Sequence, residues 1–319
     1  MSESKKPFKS GAKAALRDLG RKLPPGAKQA LIDGILGSLG GFEEFQQMGH
    51  ALGVESISVR GKNGLVWGSL NDRWLLGAYA LRREWSSPII ELFQRFFSAN
   101  GGGTYLDIGA NIGLTLFPIA QNPMVQCYGF EPEPRNFAYL NQGLRENCTG
   151  KNVEVNQLAL FDRKSTVGFV LSDSNFGDHR IHAIDRNQLS GDASQETILV
   201  HADRLDDIMD INRLRRPVAI KIDTQGAEPN IFSGGAKTIG AAELLALEFA
   251  PALIRGIGGD VNVEFSILHD HFREGYISRE DDGVADFNWR PIAAVVEEMR
   301  RFWGDLTIGT NYFDVIARK

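Results

Sequence analysis

The sequence predicts an α/β fold with a doubly wound, mostly parallel sheet. Its 319 residues are 43% hydrophobic and 24% charged, an ordinary composition for a globular protein with a buried core. From residue 104 onward, short apolar runs alternate with helical patterns, and this alternation implies right-handed crossovers between parallel strands. The runs at 217–222 and 243–249 are apolar almost throughout, as in strands that helices cover on both faces.

An N-terminal helical and hairpin extension is predicted to precede the sheet. A helix is expected over 27–37, and a β-hairpin over 54–68, where Asn63 and the following glycine give a turn signal. We therefore divide the chain into an extension, 1–84, and a sheet domain, 85–319.

The sheet domain is predicted element by element from these patterns. The predicted strands are 104–108, 125–130, 153–159, 217–222 and 243–249, and the predicted helices are 89–97, 113–120, 134–146, 203–213 and 228–239. An insertion at about 164–202 holds a hairpin with strands Thr166–Leu171 and Thr197–Val200 around a polar loop, 172–195. The C-terminal strand Asn311–Ala317 is expected to pair with residues 275–278 and to run antiparallel at the sheet edge.

Charge is distributed unevenly along the chain. The net charge is -5, whereas residues 1–30 carry eight Lys or Arg against two acids. The overall acidity argues against a nucleic-acid binder that uses a basic face. The basic arm can make weak contact with an anionic membrane surface, although a solvated, partly ordered arm is the favoured interpretation.

Cysteine content and hydropathy indicate the compartment. The two cysteines, Cys127 and Cys148, do not suggest a disulfide framework, and a reducing environment suits them. No apolar run approaches the roughly 18 residues of a membrane span, and no signal peptide is recognisable. We therefore expect a cytoplasmic protein.

An acid followed by a glycine turn ends the first strand of the predicted sheet. Residues 104–113 read Thr-Tyr-Leu-Asp-Ile-Gly-Ala-Asn-Ile-Gly, with Asp107 at the strand end and Gly109, Asn111 and Gly113 in the turn. The next strand ends in another acid, Glu131. Because ligands of α/β sheets bind beyond the carboxyl ends of the strands, this pair of acids predicts a nucleoside-binding site.

The turn favours S-adenosylmethionine over a dinucleotide. A dinucleotide site needs Gly-x-Gly-x-x-Gly because its backbone approaches a pyrophosphate, and here Asn111 replaces the central glycine. Asp107 would repel a pyrophosphate but suits the amino-acid end of S-adenosylmethionine, which it would face directly or through water. Glu131 is expected to accept hydrogen bonds from both ribose hydroxyls. The alternative, that the two acids are only helix N-caps, explains either acid alone better than the pair.

The strand over 217–222 ends in a third acid, Asp223. Because ligands bind beyond the carboxyl ends of parallel strands, Asp223 is expected in the same crevice, beside the methyl group of S-adenosylmethionine. Methyl transfer to a hydroxyl is an in-line displacement that benefits from a general base. The candidate bases are Asp223, Glu228, His179 and His182. Glu228 is equally well explained as a partner of a helix dipole, and His179 as part of a solvated loop.

Together these motifs resemble the FkbM-type S-adenosylmethionine-dependent methyltransferases. The matching segments are Asp-Ile-Gly-Ala-Asn-Ile-Gly at 107–113, Glu-Pro-x-Pro at 131–134 and Ile-Lys-Ile-Asp-x-x-Gly-Ala-Glu at 220–228, within a similarity over about 85–318. Gln225 departs mildly from the acidic or apolar residue that is usual in the third motif. The resemblance implies a class I Rossmann-like methyltransferase fold and, often, O-methylation of sugars, polyketides or related metabolites. We therefore expect a small hydroxylated metabolite or a glycan as the acceptor.

The residues expected to bind the cofactor are Asp107, Gly109, Asn111, Gly113, Glu131, Leu160 and Asp223. No metal site is expected, because Asp223 and Glu248 lack a convincing further ligand. Two other functions stay open: an NAD(P)-dependent oxidoreductase, against which Asn111 and Asp107 argue, and a non-catalytic module that binds S-adenosylmethionine. The patterns do not specify an oligomeric state.

Overall fold

The computed structural model describes residues 42–148, 150, 152–173, 175–182, 196–278 and 287–319. The basic arm, the predicted helix over 27–37 and the part of the insertion over 183–195 lie outside these residues.

The N-terminal part of the described chain packs against the central sheet. Its elements are helix α1 (Phe42–Ala51), strands β1 (Ser56–Gly61) and β2 (Gly64–Ser69), and helices α2 (Leu76–Arg82) and α3 (Ser87–Ala99). The predicted hairpin is confirmed, since β1 and β2 pair antiparallel around Lys62 and Asn63. Asn147 accepts from the Leu65 amide and donates to its carbonyl, at 2.8 Å each, and these bonds fix the hairpin on the sheet domain.

Eight strands of the described chain form the main sheet. Their order is β13 (Arg290–Pro291), β12 (Glu274–Ser278), β14 (Phe313–Arg318), β11 (Leu244–Phe249), β10 (Val218–Ile222), β3 (Gly103–Ile108), β4 (Val125–Phe130) and β5 (Val153–Asn156). The five strands from β11 to β5 are parallel, which confirms the predicted mostly parallel sheet. The C-terminal strand is antiparallel and pairs with β12 as predicted, although it lies between β11 and β12, with β12 and β13 beyond it.

Side chains of the central strands alternate between two hydrophobic cores, as a doubly wound sheet requires. In β3, Leu106 and Ile108 belong to one core and Tyr105 belongs to the other. Around the sheet lie α4 (Leu116–Ala120), α5 (Pro134–Asn147), α6 (Leu205–Ile208), α7 (Glu228–Gly234), α8 (Ala236–Ala241), α9 (Pro251–Ile257), α10 (Val261–His271) and α11 (Ile292–Gly304).

Together with strand β6 (Ala159–Leu160), the described part of the insertion forms a second, four-stranded sheet. Its order is β6, β9 (Thr197–Asp203), β7 (Ser165–Val170) and β8 (Arg180–His182). The predicted hairpin is confirmed by the antiparallel pairing of β7 with β9, from Ser165 opposite Ala202 to Val170 opposite Thr197. The strand predicted over 153–159 ends at Asn156 because the next strand, β6, pairs with β9 instead.

Three predicted helices are shorter than expected or divided. The helix over 113–120 is confined to Leu116–Ala120. The helix over 203–213 is reduced to α6 and a 3-10 turn at Ile211–Arg213, because β9 continues to Asp203 and the Asp210 side chain starts a new turn by accepting from the Asn212 amide. The helix over 228–239 divides at Gly235 into α7 and α8.

Candidate functional site

The carboxyl ends of β3, β4 and β10 converge on the glycine turn. The amides of Gly109 and Ala110 both donate to the Phe130 carbonyl, and the Asp223 amide donates to the Ile108 carbonyl. Gly109 has a φ of +82°, and a Cβ there would lie 1.9 Å from the Asp223 carbonyl oxygen. Only glycine therefore allows this close approach of the two strand ends.

Glu131 is held beside this turn by two backbone amides. Its Oε2 accepts from the Asn111 amide and its Oε1 from the Glu133 amide, at 2.9 Å each. The side chain is almost completely buried, and burial raises the pKa of Glu131 to about 8. Each carboxylate oxygen keeps a lone pair for a further donor.

A first cavity of about 530 Å³, counting the part open to solvent, lies next to Glu131. Apolar side chains form much of its wall. They are Ile108, Phe130, Leu158, Leu160, Phe169 and Ile181. Polar groups of Glu131, Asn136, His179 and Asp223 also line it. This combination suits a ligand with a flat, apolar part and several hydrogen-bonding groups.

The insertion covers the strand ends through the carbonyl of Phe176. This oxygen accepts from Asn111 Nδ2 at 2.9 Å and from Asn136 Nδ2 at 3.2 Å. Asn111 has a φ of +49°, a conformation that asparagine tolerates better than most residues. Its side chain therefore ties the glycine turn to the insertion.

His179 lies inside the first cavity with only 7% of its surface exposed. Its Nδ1 accepts from the Ser172 amide at 2.9 Å. The ring lies 5.0 Å from the Phe176 ring and 6.4 Å from the Phe169 ring, measured between centroids. Burial lowers the pKa of His179 to about 4. The solvated loop that was the alternative for this residue is therefore not what the structure shows.

Lys221 connects two of the predicted site acids. Its Nζ lies 3.5 Å from Asp107 Oδ1 and 3.4 Å from Asp223 Oδ2. The other oxygen of Asp107, Oδ2, accepts from Thr115 Oγ1 at 2.6 Å. Asp107 has no exposed surface, and it lines neither the first cavity nor the second cavity described below. The acid of the turn thus lies beneath the site, whereas Asp223 opens into it.

A second, larger cavity adjoins the first. It encloses about 2200 Å³ on the same measure and meets the first cavity at a shared wall. The shared residues are Gly109, Asn111, Gly177, Asp223 and Gln225.

Gln225 Nε2 donates to Asp223 Oδ1 and to Glu248 Oε2, at 3.0 Å each. Burial, followed by the charges of Asp223 and Glu228, raises the pKa of Glu248 well above its usual value.

The remaining predicted site residues lie at different depths. Leu160 lines the first cavity. Gly113 lies outside both cavities and has a φ of +92°, with the Phe117 ring where a Cβ would be. Glu228 is completely buried and also lines neither cavity, because its Oε1 accepts from the amide and hydroxyl of Thr224 at 2.8 Å each. It does not reach the space that an acceptor would occupy.

Three residues of the site were given no role by the sequence patterns: Lys221, Asn136 and Gln225, although Gln225 was named as a departure from the third motif. A signal existed for Lys221, since a lysine inside the apolar strand 217–222 requires a buried partner. Asn136 carried no signal, because its partner, the Phe176 carbonyl, is distant in the sequence. Among the described residues no group of three or more His, Cys, Asp or Glu side chains could hold a metal ion.

Comparison with known proteins gives one family match. A family model described as the methyltransferase FkbM domain matches residues 107–274, just over half of the chain. The match contains the glycine turn, Glu131, the insertion and Asp223. No curated protein sequence matches the chain significantly.

Solved methyltransferase structures resemble the chain only distantly. M. jannaschii TYW2 in complex with AdoMet is 12% identical, with a TM-score of 0.38 over 83% of this chain and 85% of that one. Precorrin-6y C5,15-methyltransferase from Geobacter metallireducens is 13% identical, with a TM-score of 0.32 over 72% and 89%. An rRNA methylase from Streptococcus thermophilus is 12% identical, with a TM-score of 0.35 over 72% and 96%. Such low similarity identifies neither an acceptor nor binding residues. Within the described residues, no helix is long and apolar enough to cross a membrane.

Proposed function

We propose that this chain, which belongs to the FkbM methyltransferase family and uses S-adenosylmethionine as its methyl donor, methylates a hydroxyl group of a neutral, polyhydroxylated acceptor such as a sugar or glycan. The observation that carries the proposal is the shared wall of the two cavities, on which Asp223 lies. A donor in the first cavity and an acceptor in the second would meet beside this carboxylate.

The first cavity has the chemistry to hold the donor. Both oxygens of Glu131 are fixed by backbone amides and keep lone pairs that two ribose hydroxyls can use. Leu160 and Ile181 offer an apolar surface to the adenine. Asn136 Oδ1 and His179 Nε2 are buried without a partner in the described part of the chain, and a polar ligand would satisfy such atoms.

Asp223 is the proposed general base. S-adenosylmethionine supplies a methyl group already activated by its sulfonium, so the chain has to align the acceptor hydroxyl and take its proton. Lys221 and Gln225 hold one oxygen each of Asp223 and thereby orient it. The Asp223 side chain is 39% exposed, so it can reach a hydroxyl in the second cavity.

The second cavity has the chemistry of a sugar site. The aromatic side chains of Trp74, Trp85 and Tyr312 line it, and Trp74 is 66% exposed. Aromatic faces pack against the C–H surface of a sugar ring, while carboxylates accept hydrogen bonds from its hydroxyls. Carboxylates line the cavity at Glu84, Asp178, Asp223, Glu248 and Asp314.

The charge of this cavity argues against anionic acceptors. Among the described residues that line it, Lys221 is the only Lys or Arg, and it is already engaged by Asp107 and Asp223. Glu84 and Asp178 already pair with Lys62 and Arg180, so a phosphate or carboxylate in the acceptor would face an acidic wall with no lining Lys or Arg of the described chain left to bind it. The same charge pattern disfavours a nucleic-acid acceptor.

A labelled-methyl assay tests this proposal. The full chain would be incubated with S-adenosyl-[methyl-¹⁴C]methionine and three acceptor groups: neutral methyl glycosides, sugar phosphates, and short oligonucleotides. We expect transfer to the neutral glycosides, with the label on an ether oxygen by mass spectrometry. Transfer only to the anionic groups, or to none of the three while S-adenosylhomocysteine binds, would contradict the proposed acceptor. The same assay would be repeated with Asp223→Asn, which removes the proposed base. Its matched control is Asp270→Asn, altered at an exposed residue of α10.

A further inference from the structure

We infer that His179 recognises the nucleobase of the methyl donor by donating a hydrogen bond from Nε2 to a ring nitrogen. This inference rests on the proposed function, and it replaces the expectation that His179 is a general base with a role in positioning the donor.

The hydrogen bond at Nδ1 decides which nitrogen of His179 carries the proton. A backbone amide can only donate, so the Ser172 amide, 2.9 Å away, requires a lone pair at Nδ1. The neutral ring must then carry its hydrogen on Nε2. A general base would need a lone pair at Nε2, which this tautomer does not have.

The Nε2 atom is a buried donor that awaits an acceptor. It has no hydrogen-bond partner among the described residues, although the side chain is more than nine-tenths buried. Buried donors without a partner are rare because they lose their hydrogen bonds to water. The ring cannot turn freely to find one, since Phe169 and Phe176 pack against it.

The charge state of the ring agrees with this geometry. Burial lowers the pKa of His179 to about 4. Among the charged groups around the ring, Arg135 adds to this lowering, whereas Glu133 and Asp178 oppose it. The ring is therefore neutral at pH 7. A neutral donor suits the uncharged ring nitrogens of adenine.

The position of His179 selects the nucleobase rather than the methyl end of the donor. His179 lines only the first cavity, whereas Asp223 lines both cavities. Since the methyl group must face the acceptor in the second cavity, we assign the residues that line only the first cavity to the nucleoside. His179 is one of them, together with the apolar residues Leu160, Phe169 and Ile181, which suit a flat base. Adenine presents three ring nitrogens that can accept: N1, N3 and N7.

Calorimetry with altered bases tests the contact. S-adenosylhomocysteine and its 1-deaza, 3-deaza and 7-deaza analogues, each with one ring nitrogen replaced by C–H, would be titrated into the full chain and into His179→Phe. We expect wild type to bind one analogue about tenfold more weakly than S-adenosylhomocysteine, and His179→Phe to bind S-adenosylhomocysteine about tenfold more weakly. The variant should bind that same analogue with no further loss. The control is His201→Phe, at an exposed position of β9, which should behave as wild type.

Other results of the titration would overturn the inference. If His179→Phe binds S-adenosylhomocysteine as tightly as wild type, or if the relative affinities of all four ligands are the same in both proteins, His179 does not contact the base. If wild type binds no S-adenosylhomocysteine, the proposed function fails, and this inference fails with it.

Nitrogen-15 NMR of the histidine rings tests the tautomer in the wild-type protein, so its result does not depend on whether a variant folds. In the free wild-type protein at pH 7, we expect His179 to be neutral and protonated at Nε2, and its Nε2 proton to shift downfield when S-adenosylhomocysteine is added. An Nδ1-protonated or doubly protonated ring would overturn the inference.

Discussion

Lys221 lies directly opposite Asp107 in the parallel register of β10 and β3, and its Nζ is 3.5 Å from Asp107 Oδ1. Burial raises the pKa of Asp107, and the ammonium of Lys221 and the hydroxyl of Thr115 oppose that shift. Burial alone would lower the pKa of Lys221, but Asp223 and Asp107 together raise it above its usual value. The acid of the glycine turn therefore anchors the lysine that in turn contacts Asp223. It supports the site from below.

We expect Lys221→Met to lower the free energy of unfolding by about 3–5 kcal/mol, because it leaves the buried Asp107 carboxylate with the Thr115 hydroxyl but without a cation. Urea unfolding followed by circular dichroism measures the change. Lys237→Met, at an exposed position of α8, is the control and should stay within about 0.5 kcal/mol of wild type. A Lys221→Met protein as stable as wild type would show that Asp107 is not charged in the folded state.

Donor binding is expected to release a proton from Glu131. Burial raises the pKa of this carboxyl to about 8 in the free protein, so at pH 7 most of it is protonated. Hydrogen bonds from ribose hydroxyls favour the ionised form and lower the pKa. Affinity for S-adenosylhomocysteine should consequently rise from pH 6 through pH 8 and level off at about pH 9, where the free protein is also ionised. Calorimetry at pH 7 in buffers with different ionisation enthalpies measures the proton release, and Glu131→Gln should abolish it. Equal binding enthalpies in all buffers would exclude this linkage.

Asp223→Asn is expected to lower turnover by about 10²–10⁴-fold, which is the usual contribution of a general base. Its affinity for S-adenosylhomocysteine should change only a few-fold, because Asn can still accept from Gln225. The labelled-methyl assay and calorimetry give the two values, with Asp270→Asn as the control. Turnover within threefold of wild type would remove Asp223 as the base.

Asn111→Gly is expected to loosen the insertion while leaving the turn intact. Glycine adopts the φ of +49° easily but cannot donate to the Phe176 carbonyl, so amide exchange over 175–182 should become faster. We expect donor affinity to fall by about three- to tenfold, the loss of one hydrogen bond. Arg83→Gly has the same backbone change at a φ of +60° and controls for chain entropy. Equal exchange rates in both variants would show that the Asn111 side chain does not hold the insertion.

Much of the fold could be predicted because strands and turns are local patterns. Ile220 and Ile222 face one core and Ala219 the other, as the apolar run over 217–222 implied. The helix ends were less predictable. At Gly235, where the predicted helix divides, an added Cβ would lie 2.9 Å from the Leu205 side chain, so glycine is favoured there by a contact distant in the sequence. The start of β6 likewise depends on its pairing with β9, a distant segment.

The site could be predicted where strand order alone determines proximity. Glu131 and Asp223 both line the first cavity because the carboxyl ends of β4 and β10 flank that of β3. Depth was not predictable in the same way. Asp107 and Glu228 follow the same pattern of an acid near a strand end, yet both are buried away from the two cavities.

The sequence by itself determined the family, the methyl donor and the doubly wound sheet, because these depend on short motifs and on the periodicity of apolar residues. Only the tertiary structure decided what each polar side chain does. Asn111 meets the Phe176 carbonyl across 65 residues of chain, Lys221 pairs with Asp107 across a strand register, and the Ser172 amide selects the tautomer of His179. Hydrogen bonds and burial depend on atoms that folding brings together, and they determine whether an acid or a histidine binds, orients or supports.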